Sequence, residues 1–230
     1  MASFAHDLTL PSSSMDAESL EVLARRAKTR DAQGYAAFEA LFQYLNAPIC
    51  DYLAYLLHNV ELAHDLAQDT FFAAWQALPD TREELHVRAW FFRIATNKAY
   101  SYLRRQKILT ILSVEGFTAT LLGREAEPDI LPGLSTPGPE DYVAEAELVA
   151  ETLRRLSPKY RTCVLLQDQG GFSQREIAQI LRISEKTVSA YVSRGRQQFL
   201  QVYKQLEREE GDQPGKSAKR SRKPRRMTGA

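Results

Sequence analysis

The stretch FSQREIAQILRISEKTVSAYVSRGRQQF, residues 172–199, decides how this chain is read. Ser173 and Glu176 stand in the Ser-x-x-Glu arrangement of a capping box, which satisfies two orphan amides at a helix start. Ile177, Ala178 and Leu181 then face inward, and Ala178 is small where a second helix must cross closely. Ile183 plugs the turn, Ser184 caps the next helix, and Val188, Tyr191 and Val192 pack back. This pattern predicts a helix-turn-helix. Arg182 occupies the turn position where glycine is usual, and a positive φ there costs about 1–2 kcal/mol. An ordinary helical hairpin is the plainer alternative. The second helix of such a unit enters a major groove by its N-terminal end. In the helix starting at Ser184, the residues Glu185, Lys186, Thr187, Ser189 and Ala190 are therefore candidates for base edges. Arg194 and Arg196, one to two turns later, suit phosphates.

The chain around this stretch has 230 residues, enough for one large domain or two small ones, with 44% hydrophobic and 26% charged residues. No apolar run approaches the roughly 20 residues of a membrane span. The N-terminus, MASFAHDLTLPSSS, lacks the basic and apolar segments of a secretory leader, so none is expected. Cys50 and Cys163 have no partner at metal spacing and read as buried thiols in a reducing cytoplasm. Without a metal motif, a phosphate loop or a nucleophile elbow, neither a cofactor nor an enzyme is expected. The net charge of +1 hides an asymmetry. Seven cations and no acid lie in 216–226, leaving the rest of the chain at −6. Nucleic-acid contact in the folded part must then come from local basic faces.

Helical signals run almost continuously over 16–112. Residues 1–15 read as disordered. Asp16 can cap a first helix carrying Leu20, Leu23, Ala24 and Ala27. A second starts near Asp31, with Phe38, Leu41, Phe42 and Leu45 on one face, and Pro48 either kinks or restarts it. A third spans about 61–78 and a fourth about 85–107. The segment GREAEPDILPGLSTPGPED (123–141) has Pro and Gly punctuation and no period, and 113–139 reads as an acidic interdomain linker. Helices resume over 140–207. Ser157-Pro158 begins one of them, Gly170-Gly171 ends it, and 208–230 reads as a basic disordered tail. The expected fold class is all-α: two small helical domains joined by a flexible linker.

Two helix faces before the linker add chemistry. On the fourth helix Val87, Trp90, Phe91, Ile94, Ala95 and Tyr102 form the expected buried stripe. Arg93, Asn97, Tyr100, Arg104 and Lys107 line up opposite. Cations there can hold phosphates, while Asn and Tyr can bond to or stack on unpaired bases. A solvated face is the plainer reading. The third helix carries a core stripe of Leu62, Leu66, Phe71 and Leu78. Its other face presents Asp65, Gln68, Asp69 and Gln76 with Phe72 and Trp75, which suits a protein partner unless a neighbouring helix covers the aromatics.

The blocks AHDLAQDTFFAAW (63–75) and RAWFFRIATNKAYSYLRRQ (88–106) resemble region 2 of bacterial extracytoplasmic-function sigma factors. Residues 156–200 resemble region 4 of the same family, and order and spacing agree over about 16–207. The resemblance implies a transcription-initiation subunit, cytoplasmic and not an enzyme. It places Asp65, Gln68, Asp69, Phe72 and Trp75 on the clamp of the largest RNA polymerase subunit. It places Arg93, Asn97, Tyr100, Arg104 and Lys107, with the loop 79–86, on the −10 promoter element. The helix from Ser184 would read the −35 element. The flap of the second largest polymerase subunit, promoter DNA and an anti-sigma factor are the further partners implied, with no membrane insertion.

Departures from the family pattern are His64, where an acid is frequent, and Ser189 and Tyr191, where bases are usual. ISEKTVSAYVSR is closer to the terminal helix-turn-helix of LuxR-type regulators, which makes such a regulator the alternative. A LuxR-type receiver would show alternating strands and helices, and none are read here. The basic tail either adds salt-sensitive DNA attraction or only solubilises the chain.

Overall fold

The computed structural model describes residues 17–81, 86–112 and 140–211. The expected N-terminal segment, the whole of the linker 113–139 and the basic tail beyond Gly211 lie outside the described residues, as do Asp16 and 82–85 of the loop before the fourth helix. Among the described residues all regular structure is helical. A first unit comprises α1 (Ala17–Ala27), α2 (Ala32–Leu57), α3 (Val60–Ala77) and α4 (Val87–Leu112). A second comprises α5 (Glu140–Arg154), α6 (Pro158–Val164), α7 (Gln174–Leu181) and α8 (Glu185–Gly211).

Helix starts follow local chemistry. Asp31 caps α2 by accepting the Gly34 amide at 2.7 Å, and Asn59 caps α3 by accepting the Leu62 amide at 2.7 Å. α2 runs unbroken through Pro48, which neither ends nor restarts it. Leu45, Ile49, Cys50 and Leu53 around it are buried, and that packing offsets the missing amide. Ser157 and Pro158 open α6 as expected, but the Ser157 side chain makes no capping bond and its Oγ is buried without a partner. Beyond α6 the chain widens into a π-helical turn over Leu165–Gln169.

The core of the first unit is aromatic. Phe71 meets Phe42 at 4.8 Å and Phe91 at 5.2 Å, and Trp90 sets its ring edge to Phe91. α3 approaches through small residues, because Ala63, Ala67, Thr70 and Ala74 form its buried line. Leu62 and Leu66 are thereby displaced to its flanks and only half-buried, while Phe71 and Leu78 are buried as expected. In the second unit Gly195 lets α8 cross α6, since a Cβ there would sit 2.7 Å from Val164 Cγ2. Both cysteines are free and buried, and burial pushes the Cys50 thiol up to about 11 and the Cys163 thiol to about 12.

The two units pack against each other along α4. Phe92 meets Phe172 edge-on at 4.9 Å. The Arg88 guanidinium lies 4.6 Å from the centre of the Phe172 ring and donates to the Gly170 carbonyl. Tyr100 donates its hydroxyl to Thr162 Oγ1 at 2.8 Å. Arg161 is buried and donates to Leu56 O at 2.7 Å, and to Arg154 O and Leu156 O at 2.9 Å each. This second packed side corrects the single stripe expected for α4. Phe92, Thr96 and Ala99 are buried as well, whereas Ile94 and Tyr102 are only half-buried.

Beside Arg161, His58 ends α2 in the left-handed conformation at φ 56°, with Nε2 buried and unpartnered. Burial, then the charges of Arg161 and Arg154, push this imidazole down from 6.5 to about 3. The unfolded chain therefore takes up a proton below pH 6.5 that the folded chain refuses until about 3. Stability from this group is complete above pH 6.5 and is lost as pH falls through that window. His58→Asn, which tolerates the left-handed backbone, is expected to flatten the dependence of the urea midpoint on pH between 6 and 4. Parallel profiles for the two proteins would mean that His58 titrates as if in water.

Candidate functional site

The helix-turn-helix is built as its local chemistry dictates. Glu176 accepts the Ser173 amide at 2.8 Å, and Ser173 Oγ accepts the Glu176 amide at 3.3 Å, which completes the capping box. Ile177 is buried, joined by Ile180, while Ala178 and Leu181 are half-buried. Arg182 has φ 55° and ψ 45°, and its amide closes on Ala178 O. Ser184 Oγ accepts the Thr187 amide at 3.1 Å to start α8. Val188 and Val192 are buried, and Tyr191 sets its ring against Tyr160 at 5.5 Å.

At the start of α8 the expected base-edge candidates divide. Glu185, Lys186 and Ser189 are exposed, as is Ser184 itself. Thr187 and Ala190 are half-buried, and the Thr187 hydroxyl lies 2.8 Å from Ser184 Oγ, so it serves the cap. Arg194 is exposed. Arg196, expected to face phosphates, instead forms an ion pair with Asp168 through both Nε and Nη2, and that bond raises its pKa. An ion pair 28 residues apart leaves no periodic trace in the sequence. Arg175 is a further exposed cation of this unit that the sequence reading did not single out, and Arg182, read there only as a turn residue, is another.

On α3, Asp65, Gln68 and Asp69 are exposed, and Phe72 retains 65% of its surface. Trp75 is half-buried. Tyr35 lies 5.1 Å from its ring, Phe38 4.8 Å, and the Arg30 guanidinium 5.4 Å above it. One of the two aromatics is thus free and the other half-covered by α2 and the loop before it. Lys98 joins the edge of this face to α4 through Asp69 at 3.6 Å.

The basic line on α4 also divides. Asn97, Arg104 and Lys107 are exposed and Arg93 is half-buried. Tyr100, expected on the same open face, turns toward the second unit and bonds to Thr162, where burial raises its phenol pKa. The physical cause is the position of Tyr100 directly along the side of α4 that carries Phe92 and Thr96. Among the described residues, no group of three or more His, Cys, Asp or Glu is arranged to hold a metal, and no helix is long and apolar enough to cross a membrane. The arrangement offers an acidic face with an open aromatic, a basic helix edge and a capped groove-sized helix within one chain.

Comparison with known proteins agrees with this division. The family described as Sigma-70 region 2 matches residues 41–108, and Sigma-70, region 4 matches residues 146–199. RNA polymerase sigma factor CnrH of Cupriavidus metallidurans is 37% identical over 137 residues, covering 57% of this chain and 68% of that protein. The solved structure of CnrH in complex with the cytosolic domain of CnrY aligns at a TM-score of 0.57 and 26% identity, over 81% of this chain and 97% of that one. The sigma factor RpoE of Bartonella quintana, solved with the anti-sigma factor NepR, shares the fold at a TM-score of 0.61 and 23% identity, over 73% and 96% of the two chains.

The left-handed Arg182 makes a prediction about the turn. Arg182→Gly removes the steric cost of a Cβ in that conformation and is expected to stabilise the fold by up to about 1 kcal/mol. The urea midpoint measures it. A loss of stability would mean that the Arg182 side chain itself holds the turn.

Proposed function

This chain belongs to the extracytoplasmic-function branch of the sigma-70 family, and on that footing we propose that it is a dissociable promoter-specificity subunit of RNA polymerase. It directs an enzyme and is not itself one, and it acts where polymerase acts, in the bacterial cytoplasm. The observation that carries this reading is the juxtaposition of two unlike faces in the first unit. Asp65, Asp69 and Phe72 are exposed on α3, which Lys98 joins through Asp69 to α4, the helix that exposes Asn97, Arg104 and Lys107. The first set suits a protein partner, the polymerase clamp. The second suits a strand of unpaired bases, because an amide and two cations stand exposed along one face of the same helix.

The second unit reads duplex at the −35 element. Lys186, Glu185 and Ser189 are the outward groups at the start of α8, and Arg194 lies where a phosphate would run. The ion-paired Arg196 reaches DNA only if Asp168 releases it. Tyr100 belongs to the strand-holding set only after its bond to Thr162 opens, so promoter engagement separates α4 from α6 at that point. CnrH and RpoE were each solved with a protein bound, and RpoE's is an anti-sigma factor. We extend a comparable protein restraint to this chain. A LuxR-type regulator is less well supported, since the first unit matches sigma region 2.

Lesions in the two faces should differ. Asn97→Ala is expected to reduce permanganate reactivity of the −10 element while closed complexes still form. Lys186→Ala should weaken recruitment to promoters that depend on the −35 element, by about 1–3 kcal/mol if it loses a base contact. A premelted −10 template should not rescue it. Normal promoter opening by Asn97→Ala, or tight binding of the free chain to a palindromic duplex, would count for the LuxR-type alternative.

A further inference from the structure

Residues 28–31, between α1 and α2, lie against the far end of α3. Lys28 Nζ donates to Thr81 O at 2.6 Å, and Arg30 Nη2 reaches Trp75 O at 3.3 Å and Gln76 O at 3.4 Å. The last two carbonyls belong to the final turn of α3, where the helix dipole favours a cation. The same Arg30 guanidinium lies over the Trp75 ring, and Tyr35 and Phe38 pack on that indole from α2. Among the described residues, the rings and the cation against Trp75 thus all come from residues 30–38.

Arg30 holds this position at φ 55°, in the region where glycine is the unstrained residue. The turn does not need the arginine side chain for its shape. Asp31 caps α2 through Gly34, and the Thr29 hydroxyl lies 2.9 Å from both Asp31 Oδ1 and Arg26 O. A strained backbone carries a side chain whose contacts are the indole and the carbonyls behind it. Trp75 stands one turn beyond the open Phe72 on the acidic face of α3.

We propose that Arg30 is a positioning residue for polymerase docking, acting through Trp75. Its planar cation and the two α2 aromatics fix the plane of the indole, so that Trp75 meets the clamp beside Phe72 without first losing rotational freedom. This rests on the reading of the α3 face as the polymerase-docking surface.

The test measures affinity of the full chain for core RNA polymerase together with its melting temperature. Arg30→Gly is expected to melt no lower than the parent, because the turn loses its strain, yet to bind about twofold to fivefold more weakly, the range of an exposed cation–π contact. Arg30→Lys should recover part of the loss, since an ammonium keeps the charge but not the planar stack. In a Trp75→Leu background Arg30→Gly should add no further loss. Unchanged affinity of Arg30→Gly overturns the proposal. So does a loss that persists in full with Trp75→Leu, which would assign Arg30 to the fold instead. The paired reversal Asp65→Lys with Asp69→Lys separates the two levels. If it leaves affinity intact, the docking face is misassigned and the inference falls with it; if it weakens binding while Arg30→Gly does not, only the positioning role fails.

Discussion

One buried guanidinium ties the two halves of the molecule together. Helix C-termini leave carbonyls without amide partners and carry partial negative charge. Arg161 answers that need for two helices at once, donating to Leu56 O at the end of α2 and to Arg154 O and Leu156 O at and beyond the end of α5. The arrangement has a cost. Burial and the nearby Arg154 lower the Arg161 pKa to about 10, and its Nε is buried without a partner. Removing the side chain would strand three carbonyls in a closed space, a larger penalty than the loss of any single bond. From this point the seam runs along α4 to Tyr100 and Thr162 and to Phe92 and Phe172.

That seam explains why one helix carries two kinds of information. Trp90, Phe91 and Ala95 bury α4 in its own bundle, while Arg88, Phe92 and Tyr100 turn to the second unit. Asn97, Arg104 and Lys107 remain for solvent. A helix packed on two sides has little open surface, so the groups left open are the informative ones. Tyr100 is suited both to hold Thr162 and to stack on a base, and it cannot do both at once.

Much of this was legible in the residues because the signals were local. Ser173 with Glu176, Asp31 and the Ser184 cap each act over three or four residues, and each forms the bond its spacing implies. The open acidic face of α3 was legible for the same reason, as a matter of helical period. What could not be read were the pairings between distant segments. Arg196 with Asp168, Tyr100 with Thr162 and Arg30 with Trp75 join residues whose separation carries no period. A helical wheel also assumes one apolar stripe, which is why Phe92 and Thr96 escaped the stripe drawn for α4. Among the described residues the three left-handed positions other than glycine, Arg30, His58 and Arg182, mark helix junctions at which no glycine announces the turn.

The central claim is that this chain confers promoter choice on polymerase. The most direct measurement is transcription in vitro by core RNA polymerase on a genomic template library, with start sites mapped in the presence and absence of the chain. The account predicts a small set of discrete starts that require the chain and share two sequence elements at constant spacing, one near −10 and one near −35. An unchanged map of start sites, with the chain bound instead to a palindromic duplex in the absence of polymerase, would contradict it.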